Sequence, residues 1–198
     1  MEPEEVHWFG CASAIAIWLA SGLAGFAATC QTRFEVSTNY YPVTGQTRPA
    51  LLAALHRARA ARTNENFDAS TIWTIKWTYL YSPSLSGVHL DSVQIAATID
   101  LTLPRWTSAS DAPETLLQSW QRYYRGLAAH EAGHAAVVRD AVKEMQRQFT
   151  PMTEFESPTA LLRALDNTGS NVVESARQRE RQYDVQTRHG LTQGAVWR

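Results

Sequence analysis

The chain has 198 residues, a net charge of −1 and a pI of about 6.6. That balance excludes a binder drawn to nucleic acid by electrostatics. Apolar residues make up 44% of it, which suits one ordinary globular core.

The first segment is uncharged. Residues 6–32 hold no Lys, Arg, Asp or Glu, and residues 9–28 are mostly small and apolar. Residues 1–30 therefore read as a signal peptide or an N-terminal membrane anchor. Glu2, Glu4 and Glu5 stand where a signal peptide usually carries basic residues. Either reading puts residues 31–198 outside the cytoplasm, periplasmic or secreted, with membrane attachment through residues 9–28 if the segment is kept. Both cysteines, Cys11 and Cys30, lie in or beside this segment. A metal held by the remaining domain must then use His, Asp or Glu.

Residues 34–43 predict a strand closed by Thr44 and Gly45. Residues 49–61 predict a helix with Pro49 in its first turn and a stripe of Leu51, Leu52, Leu55 and Ala58. Trp73, Ile75, Trp77, Tyr79 and Tyr81 alternate with Thr74, Lys76 and Thr78, the period of a half-buried strand. After a turn at 83–87, the residues Val93, Ile95, Ala97, Ile99, Leu101 and Leu103 repeat that alternation, so the two strands read as an antiparallel hairpin. Pro104, Arg105 and Trp106 are expected to stop the second strand. Ser108 and Ser110 are candidate caps for a long helix over 112–148, ended by Thr150 and Pro151. A second helical region starts at Ser157-Pro158, with an interruption expected at 166–171.

The long helix carries His130-Glu131-Ala132-Gly133-His134. Residues four apart share a helix face, so the two imidazoles converge about one turn apart. This supplies two of the three protein ligands of a catalytic zinc, and Glu131 stands beside them as general base and later proton donor. Leu127, His130, His134, Val138 and Ala141 share the inward face, and Ala128, Ala129, Ala132, Gly133 and Ala135 leave room around a metal. A third ligand is expected from the tail, where His189 and Asp184 are alternatives and both are ordinary zinc ligands. Glu174 and Glu180 are less favoured for that place. Tyr183 is a further candidate for stabilising an oxyanion. His56 and His89 read as surface or packing residues.

Several segments together resemble a bacterial family of unknown function, DUF922, described as predicted secreted zinc-dependent proteases. They are Tyr40-Tyr41-Pro42-Val43-x-Gly45, Trp73-x-x-x-Trp77-x-Tyr79, Thr102-Leu103-Pro104-x-Trp106, Trp120-x-x-Tyr123, the His130–His134 motif, and Tyr183-Asp184-x-x-Thr187-x-His189-Gly190-x-x-Gln193-Gly194-Ala195. The resemblance covers about residue 34 to the end. In many members it implies a cysteine after the hairpin turn and another near the last helical region. Here those segments hold His89 and Phe155-Glu156-Ser157.

The combined expectation is an α+β, zincin-like domain over residues 31–198: a small antiparallel sheet packed against the long H-E-x-x-H helix and a C-terminal helix. Its activity would be zinc-dependent hydrolysis of a peptide or protein substrate outside the cytoplasm, with no nucleic-acid partner. An extended substrate could add to a strand edge such as 93–103. The alternatives are a cell-envelope binding or assembly module with a structural metal, and a cell-wall peptide amidase using the same chemistry.

Overall fold

The computed structural model describes residues 28–62, 67–110 and 112–197. The leader expected over residues 1–30 falls outside them except for its last three positions. Among the described residues no helix is long and apolar enough to cross a membrane. The elements are β1 (Thr29–Val43), α1 (Arg48–Ala61), β2 (Ser70–Ser84), β3 (Gly87–Trp106), α2 (Glu114–Phe149), β4 (Glu154–Phe155) and α3 (Pro158–Thr187), followed by a 3₁₀ turn at Leu191–Gln193.

The α+β class, the long helix and the C-terminal helix are as expected. The sheet is mixed rather than wholly antiparallel. Its order is β1-β3-β2, with β4 paired to β3. Ser37 donates to Asp100, and Thr107 N donates to Val43 O at 3.0 Å. The partners ascend together along both strands, so β1 runs parallel to β3. β3 is thus central and its 93–103 segment is not an edge; the edges are β1 and β2. β3 also continues through Pro104 to Trp106, whose indole N–H donates to Gly45 O at 3.0 Å. Ser108 Oγ pairs with Gly45 rather than capping α2.

The chain divides into two compact units. Of the described residues, the first comprises 28–33, 75–97 and 142–172. Leu90, Ile95, Met145, Phe149, Leu161 and Leu165 are fully buried there. The expected interruption at 166–171 does not occur, and α3 passes through Gly169 unbroken. A Cβ at Gly169 would lie 2.7 Å from the Trp77 ring. That ring is held by a 3.3 Å hydrogen bond from Nε1 to Asp166 and by an edge contact with Phe149. The glycine therefore serves close packing, not a helix break. Gly169→Val is expected to destabilise the protein by about 1–3 kcal/mol through overpacking. An unchanged urea midpoint would contradict that account.

In the same unit β4 pairs antiparallel with β3, Val88 opposite Phe155 and His89 opposite Glu154. His89 Nδ1 lies 2.7 Å from Glu154 Oε1, and Ser84 and Ser86 donate to Oε2 at 2.7 and 3.1 Å. These hydroxyls and the His89 contact hold the Glu154 carboxyl below its usual range. This clamp joins the two segments where the resemblance implies cysteines in other members.

The second unit comprises the described residues within 34–74, 98–141 and 173–197. Its core gathers Val43, Leu51, Leu55, Leu103, Trp120 and Leu127. Thr47 caps α1 by accepting from Ala50 N, with Pro49 in the first turn as expected. Asp68 ties the start of β2 to its surroundings. Its carboxylate accepts from Tyr123 at 2.5 Å and meets Arg59 at 3.1 Å, while its carbonyl accepts from Tyr41 at 2.5 Å. Burial and the Asp68 charge push the Tyr123 hydroxyl far above the usual phenol range. The segment 67–71 is thereby held in place. All the residues of the site described next belong to this unit.

Candidate metal centre

α2 carries His130 and His134 on consecutive turns, and α3 carries Asp184 near its C-terminus. His130 Nε2 and His134 Nε2 are 3.3 Å apart. Asp184 Oδ1 lies 3.2 Å from the first and 3.1 Å from the second. Tetrahedral zinc with ligands at about 2.0–2.1 Å needs ligand–ligand separations of about 3.3–3.4 Å. The triangle comes close to those edges, and two imidazoles with one carboxylate are an ordinary zinc donor set. The residues therefore fit the ion.

Of the two tail residues left open by sequence, Asp184 joins the triangle. His189 stands beside it, with Nδ1 3.6 Å from Asp184 Oδ1 and its ring stacked on Phe67 at 4.7 Å. Its place comes from a strained turn. Arg188 and His189 adopt φ of 50° and 51°, ahead of Gly190 at 81°. Left-handed backbone costs a non-glycine residue about 1 kcal/mol or more. Glu180 is not in the triangle; its Oε1 lies 3.4 Å from His134 Nδ1, on the far side of that ring. Glu174 pairs instead with Arg181 at 3.1 Å.

Glu131 is only 3% exposed, and its Oε2 accepts from Thr71 Oγ1 at 2.6 Å. Tyr183 lies flat on the His130 ring, 5.2 Å between centroids and 11° between planes. Its hydroxyl donates to the His130 carbonyl at 3.3 Å and accepts from Gln193 Nε2 at 2.9 Å. A Cβ at Gly133 would collide with that phenol. The small residue thus makes room for Tyr183 rather than for a metal.

Burial pulls the His130 pKa down, and the neighbouring His134 adds to it. Burial also pulls on His134, but the Glu180 hydrogen bond and the charges of Asp184, Glu131 and Glu180 outweigh it and raise that pKa. The site is thus electronegative around one imidazole, as a cation site requires. It opens into a cavity of about 400 Å³ whose wall includes Glu131, Thr71 and His189, with Arg177 and Arg181 at its border. Thr71, Gln193 and the orienting place of Glu180 were not read from the sequence. Gln193 falls inside the tail motif, but nothing near Thr71 marks it.

No curated protein and no solved structure matches the chain significantly. The family model described as a bacterial protein of unknown function (DUF922) matches residues 38–190, a span that holds His130, Glu131, His134 and Asp184, and the chain belongs to that family.

Proposed function

We propose that the protein is a zinc-dependent hydrolase of peptide bonds, working outside the cytoplasm, with His130, His134 and Asp184 as ligands and Glu131 as general base. The observation that carries this is the triangle with edges of 3.1–3.3 Å, with Glu131 in the wall of the same cavity. A zinc ion held there supplies Lewis acidity toward a carbonyl and toward water. Glu131 takes the proton from the attacking water and returns it to the leaving amine. The Thr71 hydroxyl holds one carboxylate oxygen and so orients that base. Tyr183, with its hydroxyl engaged at His130 and Gln193, orients the His130 ring rather than meeting an oxyanion. Glu180 orients His134 from behind, as carboxylates commonly do for ligating imidazoles.

The substrate is read as an extended peptide or protein. β2 is an edge strand, and Ala69, Ser70 and Thr71 border the cavity. An extended chain adding to that edge would bring a peptide bond to the triangle. The extracytoplasmic setting rests on the uncharged residues 6–32.

One observation favours the rival, a non-catalytic envelope module with a structural metal. His189, 3.6 Å from Asp184, could close the coordination as a fourth protein ligand. Purified protein is expected to carry a single zinc and to hydrolyse quenched peptide substrates. Chelation should abolish that activity and added zinc restore it. Stoichiometric zinc with no cleavage of peptides or cell-wall peptide amides would turn the conclusion to the structural module. Failure to take up zinc at all would overturn the metal centre.

A further inference from the structure

We propose that Gln193 is a positioning residue, which holds His130 in the tautomer whose Nε2 lone pair faces His134 and Asp184. The inference rests on the metal reading above, but its central observable exists in metal-free protein. Gln193 Oε1 lies 3.1 Å from His130 Nδ1, and Gln193 Nε2 donates to Tyr183 Oη at 2.9 Å. The tyrosine's own proton goes to the His130 carbonyl at 3.3 Å. With the amide N–H spent on Tyr183, the amide oxygen is what faces Nδ1, and Nδ1 must carry the proton. Thr187 supports the same assignment independently. Its hydroxyl donates to Tyr183 O at 2.7 Å, so toward His130 Nδ1, 3.4 Å away, Thr187 Oγ1 is an acceptor. Two acceptors therefore flank Nδ1, and the lone pair is left on Nε2.

Gln193 reaches His130 because the chain after α3 folds back on α2. Gln193 N and Ala195 N both donate to Gly190 O, at 2.9 and 3.0 Å. Gly190 sits so close that a Cβ there would be 3.1 Å from His130 Cγ. Further on, Gly194 and Ala195 lie against Gly126 with no room for a Cβ on the helix. Trp197 then meets Trp120 and Tyr123 edge to face, at 5.3 and 5.1 Å. The strap is thus anchored on both sides of Gln193, and the site draws on residues beyond its own ligands.

The test compares full-length wild type with Gln193→Met and Gln193→Glu. Gln193 is exposed, so neither change removes core packing. Nitrogen-15 NMR of metal-free protein, at a pH where imidazole is neutral, reads the His130 tautomer. Competition with a chelator reads zinc affinity. Wild type and Gln193→Glu should hold the proton on Nδ1 and bind zinc within a few-fold of each other. Gln193→Met should populate the other tautomer and bind zinc about 10–100-fold more weakly. A wild-type His130 with its proton on Nε2 would overturn the proposal, as would a Gln193→Met protein with unchanged tautomer and affinity. If wild type took up no zinc, the metal reading alone would fall. The tautomer difference between wild type and Gln193→Met would still decide the role of Gln193.

Discussion

Asp184→Ala should leave the purified protein without zinc, while His189→Ala should keep it. Asp184 Oδ1 lies within 3.2 Å of both imidazole nitrogens, so its loss leaves two ligands where three are needed. The drop in affinity should exceed the roughly 10–100-fold that removal of a hydrogen-bonded partner behind a ligand costs. His189 has its ring against Phe67 and half of its side chain exposed. Its removal should lower activity without emptying the site. Elemental analysis of the two variants, purified side by side, checks this. Zinc lost with His189→Ala and kept with Asp184→Ala would exchange their roles. Zinc lost in both would favour the closed structural site.

Glu131→Gln should abolish hydrolysis with metal content unchanged. The amide has nearly the shape of the carboxylate, and its oxygen can still accept from Thr71. The fold and the triangle should therefore survive. What disappears is the proton acceptor, and general-base loss typically costs about 10²–10⁴ in kcat. Steady-state kinetics with zinc measured on the same sample reads both quantities. Activity within about threefold of wild type would remove Glu131 from the chemistry and, with it, the hydrolase mechanism. Thr71→Val should give a smaller loss in the same direction, because it frees the base without removing it.

The local periodicities translated well. The alternation through Trp73–Tyr81 and Val93–Leu103 marks covered faces of β2 and β3, and the four-residue step from His130 to His134 aims both rings inward. Such features depend on neighbours a few residues apart, and sequence spacing carries them directly. Gly169 misled for a physical reason. A glycine in a polar run normally signals a break, yet here its missing Cβ accommodates an indole from another strand. Pro104, Arg105 and Trp106 did close the strand, since β3 ends at Trp106. The strand at 93–103 was legible as a strand but not as the central one, because its two neighbours are set by pairing between distant segments.

By itself, then, the sequence determined the fold class, the main helices and strands, the two histidines with Glu131 beside them, and a short tail segment from which the third donor had to come. Each of these follows from short-range spacing or from the chemistry of a residue type. Only the tertiary structure put Asp184 rather than His189 in the triangle, set Glu180 behind His134 and Tyr183 flat on the His130 ring, and brought Thr71 and Gln193 to the site. Those outcomes depend on how β2, α3 and the chain beyond α3 lie on α2, contacts between residues far apart in sequence. A left-handed turn at Arg188 and His189 and a missing Cβ at Gly133 allow that approach, and neither has a periodicity to read.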